Sequence, residues 1–334
     1  MKTIRWGIIG CRDVTEKKSG PGLQKSNGSS LVAVMRRNSE KAADYAKRHN
    51  VPRWYDDAQK LIDDPEVDAI YIATHPNSHM EYTLKAAEAG KPVYCEKPLG
   101  VSSEKSKRMT SFCKEKGVPF FSAYYRRALP KYLKIKALLD SGTIGEIRYV
   151  HVAMHQSIAE EDKKGGGSWR VDPKLSGGGR FLDVGSHALD LVDWYCGPIK
   201  EAQGFVENQS KTYAADDIVS GSWKHENNVM GSGIFCFNTF KDEDKTIICG
   251  SKGEISYSVL AVEEPIHIRT EEGEQTLAVD KAPMHVAKSL IQTVVNELLG
   301  KGICPSTGES GSRTDWVMEK LQGKQEKRYV CVTS

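Results

Sequence analysis

The chain has 334 residues, 39% of them hydrophobic and 27% charged, with a formal net charge of +3. That length sets two domains as the expectation, and the near balance of charge without a lysine/arginine block excludes a nucleic-acid-binding arm. No apolar stretch approaches the ~20 residues that span a bilayer and no secretory leader precedes the first strand, so a cytoplasmic protein with no membrane partner is expected.

The first element is an apolar, β-branched run, Ile4 to Ile9, which ends on Gly10-Cys11-Arg12-Asp13-Val14-Thr15. A polar segment of helical composition follows, and then a second strand over 31–36. Strand, tight turn, helix and strand in this order form a dinucleotide-binding unit, with the pyrophosphate at the turn. The expected G-x-G-x-x-G/A reads here G-x-R-x-x-T, with Arg12 at the second glycine position. Gly7, Gly10, Cys11, Arg12, Asp13 and Val14 are the candidate cofactor contacts; the alternative is an α/β unit without a nucleotide.

The second strand ends on Arg36 and Arg37, where an acid about 20 residues past the glycines would accept from a ribose 2′-hydroxyl. Paired guanidiniums suit a 2′-phosphate instead, which points to NADP over NAD. The alternative is a pair of solvated arginines. Further strands are expected at 68–73, 92–95 and 118–122, with helices near 14–26, 39–49, 57–63, 77–89 and 102–116. Ser39 and Ser102 are expected N-caps, and Gly90 and Gly117 the residues that end helices. The alternation implies a doubly wound parallel sheet, a Rossmann fold, whose ligands lie outside the carboxyl ends of the strands. Thr74, His75, Pro76, Asn77 and His79 follow the strand at 68–73 on that edge; Asn77 is most simply a helix cap, and His75 is expected to line the nicotinamide pocket. Glu96-Lys97-Pro98 ends the next strand, with Glu96 as the expected partner that aims Lys97 at a substrate oxygen and both residues as candidate cofactor contacts. A structural turn is the alternative for that tripeptide.

After Leu139 the pattern becomes strands joined by short turns, at 145–157, 201–209, 216–226, 229–239, 245–250 and 253–260. This is the pattern of an antiparallel sheet with one solvated face. Helices are expected at 180–196 and 284–299, and Gly165-Gly166-Gly167 as a surface loop. The division expected is 1–122, a dinucleotide-binding domain, and 123–334, a domain for substrate and oligomerisation whose C-terminal helix packs back on the first. Eight scattered cysteines without a C-x-x-C pair read as reduced thiols, with no metal site.

The most informative stretch runs from Gly177 to Asp190, where a glycine loop enters an apolar-periodic segment. Asp183 and His187 stand at i and i+4, on one face if the segment is helical, and Asp190 is placed to fix the imidazole tautomer. Such a set moves protons near neutral pH. The alternative is a turn and helix with solvated polar side chains.

Taken in order, the Gly10 turn, Ala73-Thr74-x-Pro76-x-x-His79, Glu96-Lys97-Pro98 and Gly177-Gly178-Gly179-x-x-x-Asp183-x-Gly185-x-His187-x-x-Asp190 resemble the glucose–fructose oxidoreductase, inositol dehydrogenase and rhizopine-catabolism (Gfo/Idh/MocA) family, over nearly the whole chain. The resemblance implies a Rossmann domain followed by an α/β domain with a large, open, mainly antiparallel sheet, and assembly as homodimers or homotetramers. It implies an NAD(P)-dependent dehydrogenase or reductase acting on CH–OH groups of a sugar, sugar derivative or polyol. Lys97 then resembles the substrate-orienting lysine, His187 the general acid/base, and Asp183 the carboxylate that contacts substrate or supports the histidine. The stretch Tyr124-Tyr125-Arg126-Arg127 falls where the family places aromatic and arginine residues near substrate, with Tyr124, Tyr125 and Arg127 as the candidates, and Trp169 and Arg170 resemble its substrate loop. Two other activities occur among such proteins: glycosidic cleavage with transient use of NAD, and dinucleotide binding by a regulator without turnover.

Overall fold

The structure, a computed structural model, describes residues 3–163 and 168–323. Six strands, β1 (Ile4–Ile9), β2 (Ser29–Met35), β3 (Arg53–Tyr55), β4 (Ala69–Ile72), β5 (Val93–Cys95) and β6 (Phe120–Ser122), pair in parallel in the order β3-β2-β1-β4-β5-β6. Helices cover both faces of this sheet, so its strands are apolar runs rather than alternating ones; all four residues of β4 are buried. The pleat sends Trp6 and Ile8 into one core and Ile9 into the other. Strand order reverses between β1 and β4, which opens a crevice at their carboxyl ends.

The second sheet holds β7 (Ile147–His155), β8 (Ile199–Glu207), β9 (Ile218–His225), β10 (Met230–Cys236), β11 (Glu243–Gly250), β12 (Gly253–Tyr257), β13 (Ile266–Thr270) and β14 (Gly273–Leu277). Their order is β14-β13-β12-β11-β7-β10-β9-β8, antiparallel except for the parallel β7–β10 pair. Val150, Val152 and Met154 of β7 face a core shared with Leu189 and Val192 of the helix Ser186–Cys196. The fold is therefore the expected one, a Rossmann unit joined to a large open and mainly antiparallel sheet.

Several local expectations are corrected. The helix expected over 14–26 is two, Asp13–Lys17 and Ser19–Lys25, because Gly20 lies so close to the first that a Cβ there would sit 2.2 Å from the Thr15 carbonyl oxygen. Asn38, not Ser39, caps the helix Ser39–Arg48, its side chain accepting from Lys41 N–H at 2.8 Å. Strands β3, β13 and β14 and the helices Pro130–Asp140 and Gly308–Leu321 come in addition to the expected elements. Strand β14 is the polar sheet edge Gly-Glu-Gln-Thr-Leu, with no apolar alternation to reveal it. Gly165-Gly166-Gly167 lies outside the described residues.

The chain returns twice to the parallel sheet. Lys288–Leu298 packs on Ser19–Lys25, where Gly22 leaves room for Ile291. Gly308–Leu321 lies along Ser103–Glu115: Asp315 accepts from Gly100 N–H at 2.9 Å, and Glu319 from Ser103 N–H at 2.7 Å. No helix among the described residues is long and apolar enough to cross a membrane.

Candidate active site

The crevice outside β1, β2, β4 and β5 divides into two connected hollows of about 550 and 720 Å³ that share Arg12, Arg36, Thr74 and His75. Both lie in the size range of ligand pockets. Gly10 shapes the junction. Its φ is +95°, and a Cβ would stand 2.9 Å from the Thr74 backbone nitrogen, so the turn requires glycine. Arg12 follows in extended backbone; its N–H donates to Thr15 Oγ at 2.9 Å and the Thr15 hydroxyl donates back to the Arg12 carbonyl at 2.7 Å.

At the smaller hollow Arg12, Arg36 and Arg37 converge with Asn38 and Lys41. Partial burial, then repulsion from Arg36 and Arg37, works against the Arg12 charge. Arg36 donates to the Cys11 carbonyl at 3.4 Å, Arg12 meets His75 Nε2, and none of the three arginines has a carboxylate partner among the described residues. An anion of phosphate chemistry would relieve that accumulation. His75 is the N-cap before Pro76, the first residue of Pro76–Glu88, so the cap expected at Asn77 moves back two positions. Asn77 lies on the wall of the smaller hollow, Pro76 on that of the larger. The His75 ring packs against Trp169 with centroids 4.8 Å apart, and its buried Nδ1 has no partner. A glycine turn, converging arginines and an unpartnered imidazole nitrogen along one crevice fit a dinucleotide.

The larger hollow brings together Lys97, Asp183 and His187, with Trp169, Arg170 and Tyr125 around them. Lys97 Nζ donates to the Asp183 carbonyl at 2.5 Å and to its Oδ1 at 2.9 Å, while Arg170 Nε donates to Oδ2 at 2.7 Å. Burial on its own would raise the Asp183 pKa, but the two cations hold it well below the usual carboxylate range. Glu96 is not the lysine's side-chain partner: it accepts from Tyr71 Oη at 2.5 Å, and burial raises its pKa. His187 is 5% exposed, with Tyr124 and Tyr125 edge-on at 5.8 and 5.5 Å. Its Nδ1 is buried without a partner. Burial first, then the charges of Arg126, Lys97 and Lys18, push its pKa well below the ordinary histidine value, so the imidazole is neutral at neutral pH. The site thus offers a neutral base beside a fixed ammonium.

Asp183 and His187 do not share a simple α-helical face. Phe181–Gly185 is a π-helical turn, closed by the Ser186 N–H on the Phe181 carbonyl, and His187 is the second residue of the α-helix Ser186–Cys196 beyond it. Asp183 bonds Lys97 and Arg170 rather than the histidine. Asp190 does not hold the imidazole either. It takes both arms of Arg127, at 2.9 and 2.8 Å, in a pair with both residues buried.

Five expected contacts therefore lie off the crevice wall. Arg127 is buried on Asp190 and the Pro305 carbonyl. Tyr124 lies fully buried behind His187. His79, with no exposed surface, bonds the backbone carbonyls of Thr74, Pro98 and Leu99. Gly7 gives space to Leu61, whose Cδ2 would be 2.6 Å from a Cβ, and buried Cys11 turns its sulfur to the Met35 carbonyl. Asp13, Val14, Glu96 and the remaining expected residues do reach the walls. Lys17 and Lys18 line the larger hollow without having been expected there, and Arg126 lines it in place of its neighbour Arg127. Tyr125–Ala128 is a 3₁₀ turn, in which neighbouring side chains diverge by about a third of a turn, so one of the two adjacent arginines faces the crevice and the other the core. Removing Arg127 strands a buried carboxylate: Arg127→Met should lower unfolding stability by about 3–5 kcal/mol in denaturant titration. A fully stable variant with weakened substrate affinity would restore Arg127 as a substrate contact.

Two family models match the chain: "Oxidoreductase family, NAD-binding Rossmann fold" over residues 4–124, and "GFO/IDH/MocA C-terminal domain" over 132–256. The chain is 36% identical over 331 residues to oxidoreductase P35 of Formosa agariphila, covering 96% of this chain and 98% of that one. It is 26% identical to a 1,5-anhydro-D-fructose reductase of Ensifer adhaerens, over 92% of each chain. A solved levoglucosan dehydrogenase, in complex with NADH and levoglucosan, shares the fold with a TM-score of 0.85 at 20% identity over 97% of each chain. The chain belongs to the Gfo/Idh/MocA oxidoreductase family, whose N-terminal unit is a nicotinamide-dinucleotide-binding Rossmann domain.

Proposed function

We propose that this member of the Gfo/Idh/MocA family oxidises or reduces a CH–OH carbon of a sugar, sugar derivative or polyol, with NADP preferred over NAD. The observation that carries the reading is Lys97, Asp183 and His187 meeting in one crevice whose far end is ringed by Arg12, Arg36 and Arg37. The 1,5-anhydro-D-fructose reductase among its relatives supports the substrate class. Gly10, Arg12, Asp13, Val14, Arg36, Arg37, Thr74, His75, Pro76, Asn77 and Glu96 would hold the cofactor. When bound, the nicotinamide supplies or accepts the hydride.

In the oxidation direction the neutral His187 takes the proton of the substrate hydroxyl as general base; in reduction its protonated form returns it. Lys97 stabilises negative charge that develops on the same oxygen. Asp183, held by Lys97 and Arg170, fixes the ammonium from below and so acts as a positioning residue. Trp169 offers an apolar face to a sugar ring, and Arg170 a donor to its hydroxyls.

The test follows reduced-nicotinamide absorbance over a panel of sugars and polyols with both cofactors. Turnover with net change in cofactor is the expected result. Cleavage of an aryl glycoside without net reduction would replace the reading with a glycosidase, and tight dinucleotide binding without any turnover with a regulator.

Cofactor choice has its own test. A charge-assisted contact contributes about 1.5–3 kcal/mol, roughly ten- to hundred-fold in affinity. Arg36→Asp should reverse the preference, since it deletes the phosphate partner and adds repulsion. Equal or weaker binding of NADP(H) than NAD(H) by the wild type in low salt would overturn the assignment.

The division at 1–122 and 123–334 accompanies this proposal, as does assembly into a homodimer or homotetramer. Supporting the latter, Tyr149, Phe205, Met230 and Ile234 are exposed on the uncovered face of the large sheet. A cytoplasmic setting is supported by seven described cysteines, all unpaired.

A further inference from the structure

The cations of the crevice fall into two sets. Arg12, Arg36 and Arg37 act on one another at the β2 end. Arg126, Lys97 and Lys18 are the charges felt by His187 in the larger hollow. Within that second set Lys97 is neutralised by Asp183, which also takes Arg170. Arg126 and Lys18 have no carboxylate partner among the described residues. The remaining acid nearby, Glu96, is already bonded to Tyr71, and burial favours its neutral form.

Arg126 is the more informative of the two. It is 5% exposed, its Nε donates to the Val259 carbonyl at 2.8 Å, and its Nη1 is buried with no hydrogen-bond partner. A buried charged donor without an acceptor is costly, and the cost is recovered when an anion binds. Its guanidinium lies 5.0 Å from the centre of the Tyr125 ring, and the ammonium of exposed Lys18 lies 5.8 Å from the same ring. Two cations without a carboxylate partner among the described residues therefore both lie against one aromatic ring on the wall of the hollow that holds His187. A neutral hydroxyl would satisfy the hydrogen bond but leave both charges uncompensated, whereas a carboxylate matches the fork of Arg126 and pairs with Lys18.

We propose that the substrate is an acidic sugar, a uronic or aldonic acid, whose carboxylate is held by Arg126 and Lys18 while the reacting hydroxyl carbon lies at Lys97 and His187. This inference rests on the oxidoreductase reading of the same crevice and deepens it. The carboxylate anchors one end of the substrate in a hollow that Trp169 and Arg170 also line.

The experiment compares matched pairs, D-glucuronate with D-glucose, D-galacturonate with D-galactose and D-gluconate with D-glucitol, in both cofactors at low and high salt. Wild type should favour the acid of at least one pair by about ten- to hundred-fold in kcat/KM, with the advantage shrinking as salt screens the charges. Lys18→Glu changes an exposed side chain and should erase the acid-over-neutral ratio within the pair, mainly through the KM of the acid; because Lys18 also acts on His187, that ratio, and not the rate of the neutral partner alone, is the readout. Arg126→Met should do the same more strongly, and Arg126→Lys should restore part of it. Wild-type preference for the neutral member of every pair, or an acid preference untouched by Lys18→Glu and Arg126→Met, would overturn the carboxylate and leave the oxidoreductase reading standing. Absence of net cofactor change with every acid and neutral compound would remove both together.

Discussion

His187→Ala should lower kcat by about 10²–10⁴-fold while the affinity for the cofactor stays near that of the wild type. The residue is nearly closed off between two tyrosine rings in the hollow that holds Lys97, and it does not line the smaller, arginine-ringed hollow. Its pH profile carries a sign. Burial and three neighbouring cations depress the histidine's pKa well below its ordinary value. The base form therefore persists through neutral and mildly acidic pH, and oxidation should fall off below the usual histidine range, as pH drops through the depressed pKa. Reduction needs the protonated form and should gain as pH falls through the same range. Loss of this acid limb in His187→Ala, along with the rate, would tie both to the imidazole. Near-normal turnover by a folded His187→Ala protein would remove histidine from the mechanism.

Lys97→Met should cost about 10²–10³-fold in kcat, the usual effect of deleting one preorganised group that meets developing charge. The methionine keeps the length of the stem but not the ammonium that bonds Asp183 at its carbonyl and at Oδ1. Asp183 would retain Arg170 alone, so its carboxyl pKa should rise from its depressed position. Nucleotide binding, read by quenching or enhancement of reduced-nicotinamide fluorescence, should survive. A variant that loses nucleotide binding yet still turns over bound substrate would make Lys97 a cofactor ligand instead.

These two residues were the most legible parts of the site because they sit on features with a local cause. Lys97 stands two residues past the end of β5, and His187 follows a glycine-rich loop into an apolar-periodic helix. The alternation of strands and helices likewise carries the parallel sheet in its period, and Gly10 marks its turn by the positive φ that it alone tolerates cheaply. What local pattern could not carry is the choice of long-range partner. Asp190 stands in the right place along the chain to serve His187, but Arg127, 63 residues away, claims both its oxygens. Asp183 shifts through a π turn toward Lys97, 86 residues away. Which of Arg126 and Arg127 meets the crevice depends on the phase of a four-residue 3₁₀ turn, a quantity that no periodicity over so short a segment can fix. The helix Gly308–Leu321 has a Thr307 capping box, yet its interior places Gly308, Ser310, Gly311 and Thr314 on the buried side, so it lacks a broad apolar stripe and does not announce itself.

The most direct measurement follows the hydrogen itself. A sugar or polyol turned over in the panel is prepared with deuterium on the oxidised carbon and incubated with wild-type protein and oxidised cofactor. The expected result is one deuterium on the nicotinamide ring for each molecule of carbonyl product, and a proportionate loss of label transfer rate in His187→Ala and Lys97→Met. Label that returns to the sugar product, or that appears in water while the cofactor stays oxidised, would contradict it.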